Sequence, residues 1–219
     1  MSNHGTPRMN TLVPIVIEKT GRGERAYDIY SRLLNDRIII LGDAIHDDNS
    51  NLIIAQLLYL ANDDSKADIH LYVNSPGGSV TAGLGIIDTM RMVPCDVATY
   101  IIGQAASMGS LIASSGTKGK RHALPFARNL MHQPLLGGVM EGQATDLEIE
   151  AREMLRLRDI LYGIYAENTG QTHAKIAEDC ERNKWLGSRE MQEYGLIDRV
   201  LEHLPAKPPS RHGGESSGE

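Results

Sequence analysis

Val97-Ala98-Thr99-Tyr100-Ile101-Ile102, then Ala105-Ala106-Ser107-Met108-Gly109, then Leu111-Ile112-Ala113: an apolar run, a group of small residues around a serine, and a second apolar run with helical character. The first run reads as a buried strand and the last as an opening helix, so the Ser107 hydroxyl sits on a strand-to-helix turn. Backbone N–H groups and the positive end of a helix lie beside it. A nucleophile needs that placement, with its oxygen facing outward and small neighbours that let a carbonyl approach. The stretch is not G-x-S-x-G, because Ala105 takes the first position, and a serine near a helix start is otherwise an ordinary cap. The reading therefore turns on what the rest of the chain supplies.

Strands and helices alternate on the N-terminal side of this turn. Ile38–Leu41 and Ile69–Val73 are short apolar strands. Asn49 to Ala61 has the period of a helix, marked by Leu52, Ile53, Gln56, Leu57 and Leu60. Asn74-Ser75-Pro76-Gly77-Gly78 is a turn, after which Ser79 or Thr81 caps a helix running to Met92. Repeated units of this length predict an α/β fold with a parallel sheet and right-handed crossovers. On the C-terminal side, Gln143 to Asn168 predicts one long helix, with Leu147, Ala151, Met154, Leu157, Leu161 and Ile164 along its apolar stripe. At roughly 37 Å such a helix is longer than one side of a compact domain, and we expect it to project and pack on another subunit. Shorter helices follow at Thr172 to about Arg182 and at Ser188–Tyr194.

Near the N-terminus, Leu12–Ile17 is an apolar patch followed by the loop-like Thr20-Gly21-Arg22-Gly23-Glu24. Residues 1–10 read as a polar leader, and 205–219, rich in Pro, Gly, Ser and charge, as a disordered tail. The chain has 219 residues and a formal net charge of −6. It is long enough for one domain with a sizeable core, and its charge argues against broad nucleic-acid binding. Cys95 and Cys180 fit no metal or redox spacing, and Met1–Arg8 lacks the apolar stretch of a secretory signal. No apolar run is long enough to cross a bilayer. The expectation is a cytoplasmic chain without metal, membrane or nucleic-acid partners.

Two further elements complete the chemistry around Ser107. Gly77-Gly78 after a strand makes a turn, and also leaves backbone N–H uncovered where an oxyanion would sit; the N–H groups of Gly78 and Met108 are the natural donors. In Leu130-Met131-His132-Gln133-Pro134 a histidine ends a short strand and Pro134 holds the backbone extended. A lone histidine there is more often structural, but beside a serine on such a turn it becomes a candidate general base.

At these motifs the chain resembles the ClpP family, the proteolytic subunits of the ATP-dependent Clp protease. The likeness runs from about Leu12 to Leu201 through Leu12-Val13-Pro14, Ile29-Tyr30-Ser31-Arg32-Leu33-Leu34, Asn74-Ser75-Pro76-Gly77-Gly78, Gly103-Gln104-Ala105-Ala106-Ser107-Met108-Gly109, Gly119-Lys120-Arg121, Met131-His132-Gln133-Pro134 and Gly142-Gln143-Ala144-Thr145-Asp146. The resemblance implies a ClpP/crotonase-like fold of repeated β-β-α and β-α units with a protruding handle helix at about 134–169. It implies Ser107 as nucleophile, His132 as base, and Gly78 and Met108 as oxyanion donors. Residues 1–10 would be a propeptide removed on maturation, 11–26 an axial segment, and 27–204 the peptidase domain. Substrate would lie extended between Gly77-Gly78 and Gln133-Pro134-Leu135, adding a strand through main-chain hydrogen bonds, with broad specificity and an apolar preference.

One position departs from the family. Where its third triad member, an aspartate, follows the handle, this chain reads Glu181-Arg182-Asn183-Lys184-Trp185. An asparagine oxygen can orient the imidazole but brings no charge, and the corresponding change costs about 10⁴ in kcat in a serine protease of another fold. Asp179, four residues earlier, would share a helix face with Asn183 if that helix continued, although a solvated helix acid is its plainer reading. The expectation is a Ser107-His132-Asn183 triad that is slow alone or ordered by a partner.

No G-x-x-x-x-G-K-[ST] occurs, so ATP is not bound by that route. The resemblance implies a hexameric Clp ATPase as the unfolding partner, docked on Tyr72, Met92, Tyr100, Ile102, Leu124 and Leu201, with His70 standing where the family often has an aromatic residue. It also implies two stacked seven-subunit rings in contact at Glu181 and Arg182, alone or mixed with a second paralogue, unfolded proteins as substrates, and no cofactor. Two rival readings are a catalytically idle structural subunit, favoured by Asn183 alone, and an acyl-CoA enzyme of the related crotonase fold, which relies on acids rather than a serine.

Overall fold

The computed structural model describes residues 12–20, 23–135 and 142–203. The expected leader and tail, and part of the expected handle, lie outside them. The described chain opens with an antiparallel hairpin of β1 (Ile15–Thr20) and β2 (Gly23–Asp28), followed by α1 (Ile29–Asn35). Strand β2 begins inside the stretch expected to be loop. GERAYD is exposed along nearly its whole length, so it carries no alternation to read, and its pairing with β1 makes it a strand. Asp28 ends β2 and caps α1 by accepting from the Ser31 N–H at 2.9 Å.

The body of the molecule follows as β3 (Ile38–Leu41), α2 (Asp47–Asp63), β4 (Ile69–Ser75), α3 (Val80–Met92), β5 (Val97–Ala106), α4 (Met108–Ser114), β6 (Arg121–Ala123), β7 (Arg128–Met131), α5 (Ala144–Thr169), α6 (His173–Cys180), β8 (Lys184–Gly187), α7 (Ser188–Tyr194) and β9 (Arg199–Val200). The sheet runs β3-β4-β5-β6-β9, every pair parallel. Alternate residues Ile69, Leu71 and Val73 of β4 point into the core with Leu57, Ile86, Ile101 and Ile112, each at most 1% exposed. Of the residues expected to mark α2, Ile53, Leu57 and Leu60 are buried, whereas Leu52 is 59% exposed. Ser79, not Thr81, caps α3, accepting from the Ala82 N–H at 3.3 Å.

Strand β5 forks, and this positions the site. Its first half pairs with β6 (Thr99↔Arg121 to Ile101↔Ala123), its end with β7 (Gln104↔Arg128 to Ala106↔Leu130), and β7 pairs antiparallel with β8. At the fork the register with β4 jumps from Val73↔Ile101 to Ser75↔Ala105. Gly103 takes φ 79° there, and Asn74 Oδ1 accepts the Gln104 N–H at 3.2 Å. A Cβ on Gly103 would lie 2.7 Å from that same oxygen, so glycine is required both for the left-handed backbone and for the space. The end of β5 thus keeps its pairing with β4 at Ala105 while taking β7 as its other neighbour, with Ser107 just past its tip.

Helix α5 has 26 residues, about 39 Å at the standard rise. Its buried residues are Leu161, Tyr162 and Tyr165, all in the C-terminal third, while Ile149 and Leu155 nearer its start are at least half exposed. The helix ends at Gly170 in the left-handed region (φ 76°).

Candidate active site

Ser107 has φ 54° and ψ −123°, a backbone conformation that L-residues avoid and that persists only where its surroundings hold it. Its N–H donates to the Leu130 carbonyl at 2.8 Å, and its own carbonyl accepts from Leu111 N–H in α4 at 3.2 Å. Gly77 presses on the turn from the side: a Cβ there would lie 2.7 Å from both the Ala106 carbonyl oxygen and Ser107 Cβ. Beneath it the fully buried Ser75 donates Oγ–H to the Asp43 carbonyl at 2.7 Å and accepts the Gly77 N–H at 3.1 Å. The chain thus builds a sharp strand-to-helix turn at Ser107 without the G-x-S-x-G sequence.

The same glycines leave two N–H groups open. Gly78 forms a parallel bridge with Ile45, in which Ile45 N–H donates to the Gly77 carbonyl (2.8 Å) and Ser79 N–H to the Ile45 carbonyl (2.9 Å). The Gly78 N–H takes no part in that bridge. Its φ is 152°, and a Cβ would sit 2.2 Å from the Ile45 oxygen. Met108 is the first residue of α4, so its N–H has no intrahelical acceptor, while its side chain is buried at 2% exposure. A Cβ on Gly77 would be 3.2 Å from Met108 N, which sets residues 77–78 alongside the first turn of α4.

His132 directly follows β7, and Ser107, Met108, Leu111, His132, Tyr162 and Tyr165 border one concavity. Among the described residues no hydrogen bond joins Ser107 to the imidazole. His132 Nδ1 instead lies 2.5 Å from the Gln133 carbonyl oxygen. A carbonyl only accepts, so Nδ1 carries the proton, and in the neutral ring the lone pair is then on Nε2, the tautomer a general base requires. Gln133 is fixed in turn, its N–H donating to the Cys180 carbonyl at 2.8 Å and its Nε2 to the Glu181 carbonyl at 3.3 Å.

Asn183 is exposed and lies just before β8. Helix α6 ends at Cys180, short of the Arg182 boundary read from the sequence, so Asp179 and Asn183 do not share a helix face. Asp179 is committed elsewhere: it accepts from Lys184 Nζ (2.7 Å), Lys175 Nζ (2.9 Å) and the Tyr194 hydroxyl (2.7 Å). Burial pushes its carboxyl up, but these three hydrogen bonds outweigh it and hold the group at about 2. Asn183, Glu181 and Arg182 line a second concavity of about 380 Å3 with His132, Gln133 and Leu135.

The residues expected to dock a partner lie apart from this centre. Ile40, Tyr72, Tyr100, His122 and Arg199 form one cross-strand row. In it Tyr100 is stacked between Tyr72 (4.6 Å) and His122 (4.8 Å), and its hydroxyl shares a hydrogen bond with His70 Nδ1 at 3.0 Å. Ile102, two residues after Tyr100 in β5, shares that face by register; Leu124 and Leu201 directly follow β6 and β9, their N–H groups donating to the Ile101 and Ala123 carbonyls, whereas Met92 ends α3 and is 67% exposed.

Sequence reasoning missed Tyr162 and Tyr165. Tyr165 is 4% exposed, and its hydroxyl donates to the Ser107 carbonyl at 3.4 Å. The signal was present: Tyr162 and Tyr165 adjoin Leu161 and Ile164, already on the apolar stripe of the long helix. Among the described residues no helix is long and apolar enough to cross a membrane, and no group of three or more His, Cys, Asp or Glu residues is placed to hold a metal.

Compared with protein families, residues 21–204 match the model of the Clp protease family, a span that takes in every residue of the site described above.

Proposed function

The chain belongs to the Clp protease family, a family of peptide-bond hydrolases, and from that premise we propose that it is a serine endopeptidase with Ser107 as nucleophile. The observation that carries this reading is the strained Ser107 turn beside the N–H groups of Gly78 and Met108, with His132 bordering the same concavity. Ser107 Oγ attacks the carbonyl carbon of a peptide bond while His132 Nε2 takes its proton. The negative oxygen of the tetrahedral intermediate is held by the two N–H groups, an arrangement whose single donors are worth about 10²–10³ in kcat. Collapse breaks the C–N bond, and His132 returns the proton to the leaving amine. Water, deprotonated by the same nitrogen, then hydrolyses the acyl ester and restores Ser107.

Unfolded polypeptide would enter extended between Gly77-Gly78 and Gln133-Pro134-Leu135. The assembly would be two stacked heptameric rings in contact near Glu181 and Arg182, fed by a hexameric Clp ATPase docked on the face that carries Tyr72, Tyr100, Ile102, Leu124 and Leu201, in the cytoplasm. A second reading, a subunit activated only by a partner, is favoured by one observation: no hydrogen bond joins Ser107 to His132, or His132 to Asn183, among the described residues. Labelling by a fluorophosphonate tests both. Labelling of Ser107 in the purified protein, lost in Ser107→Ala, is expected from a preformed site. Labelling only after a paralogue or ATPase is added supports the second reading, and none under any condition sinks the peptidase.

A further inference from the structure

The carbon attacked by Ser107 must lie within reach of Oγ and of the N–H groups of Gly78 and Met108. The side chain on the acyl side of that carbon departs one bond away, so it must enter the concavity that Ser107 and Met108 themselves border. That concavity is walled by Tyr162 and Tyr165, while the larger one beside it touches neither Ser107 nor Met108. Its free volume is about 20 Å3, room for roughly one water molecule.

Aromatic rings from α5 fill the rest, and both are held in place. Tyr165 is buried, and its hydroxyl is tied to the Ser107 carbonyl at 3.4 Å, so the ring cannot withdraw without stranding a buried hydroxyl. Tyr162, also 4% exposed, stands edge-on to His173 at 5.7 Å and has the Arg158 guanidinium 5.9 Å from its ring centre. Both rings belong to the hydrophobic core, and a close-packed core resists the displacement that a branched or aromatic substrate side chain would require.

We propose that Tyr165, with Tyr162 beside it, is a specificity-determining residue that restricts the position on the acyl side of the cleaved bond to side chains the size of glycine, alanine or serine. The proposal rests on the Ser107 reading above and narrows the broad apolar preference expected from the sequence. Cavities of this kind discriminate by about 10- to 200-fold per methylene.

The test uses the full-length assembled protein and three serine-directed probes: a small alkyl fluorophosphonate without a substrate side chain, and two peptidyl diphenyl phosphonates that differ only in alanine or leucine at the phosphorus-bearing residue. Modification of Ser107 is followed by mass spectrometry. In the wild type the alanine probe should react at least tenfold faster than the leucine probe. Tyr165→Leu should bring the leucine probe level with the alanine probe or ahead of it, and Tyr165→Phe, which keeps the ring but loses its tie to Ser107, should move the ratio less than Tyr165→Leu does. Tyr162→Leu, measured in parallel, should move the ratio the same way, so a Tyr165→Leu chain that fails to fold does not stop the test. Equal rates for the two peptidyl probes in the wild type, or an unchanged ratio in the leucine variants, overturns the pocket assignment alone. If the fluorophosphonate leaves wild-type Ser107 unmodified both alone and with a paralogue or ATPase added, the serine-peptidase reading beneath it falls instead.

Discussion

His132 and Gln133 are joined through their own chain: Nδ1–H of the imidazole donates to the carbonyl of the next residue at 2.5 Å. In a Ser-His-Asp triad that proton is held by the third residue, which sets the tautomer and also stabilises the imidazolium with its charge. Here the Gln133 carbonyl holds that proton, and Asn183 carries no charge.

Asn183→Ala is therefore expected to change kcat on a short fluorogenic peptide by less than about threefold, because the tautomer does not depend on it. Asn183→Asp should raise kcat by about tenfold or more, since a carboxylate at that place adds the missing charge. Steady-state kinetics on the assembled protein decide it. An Asn183→Asp variant no faster than wild type would mean that the triad is not limited at this position.

Gly78→Ala should lower kcat by about 10²-fold or more with the fold retained, as judged by circular dichroism and assembly state. The new Cβ would fall 2.2 Å from the Ile45 carbonyl oxygen, so the bridge must part and the Gly78 N–H must move from its place beside Met108. Unchanged kcat would remove Gly78 from the oxyanion site.

Asp179 binds Lys175, Lys184 and Tyr194 rather than the imidazole, so its role is in stability. Its carboxyl lies at about 2 against an ordinary value of 3.8. The folded value is the lower one, so the stabilisation is fully present above about pH 4 and is lost as pH falls through 2. Asp179→Asn should cost about 2 kcal/mol at pH 7, read from urea unfolding at fixed protein concentration, and the gap to wild type should shrink between pH 4 and pH 2. A gap that stays constant across that range contradicts the assignment.

His70 and His122 flank Tyr100, and burial lowers the proton affinity of both. At His70, Asp68 opposes that shift while Arg37, His122 and Lys120 reinforce it; at His122, the Thr99 backbone, Asp198 and the Lys120 backbone oppose it and Arg199 reinforces it. His122 Nδ1 is buried without a hydrogen-bond partner in the described structure. A folded value below the unfolded one means stability that is complete above about pH 6.5 and declines as pH falls below it. The double variant His70→Phe, His122→Phe should lose less stability than wild type between pH 7.5 and pH 5 in thermal unfolding. Equal losses would show that the pair does not titrate on unfolding.

Much of this was legible in the chain alone because it is local. A strand-length apolar run, a serine among small residues and a helical run place Ser107 on a turn whichever neighbours surround it, and Gly77-Gly78 announces a close approach of backbone. The alternation of strand and helix foretold the parallel sheet. Strand β2 was not legible, since a strand exposed on both sides shows no period, and the end of α6 was overrun by two residues because nothing in Glu181-Arg182 breaks a helix.

What only the tertiary structure decided is which distant groups meet. The fork at Gly103 depends on the side chain of Asn74 from the neighbouring strand, and that fork carries Ser107 to β7 and so to His132. Tyr165 reaches the Ser107 carbonyl across 58 residues of sequence, and Asp179 is engaged by a tyrosine fifteen residues on. Local sequence sets backbone conformation and the period of burial, because those follow from sterics and from each residue's own preference for water. Register between strands and the seating of α5 under the turn come from packing many such segments at once, and no single window of the sequence contains it.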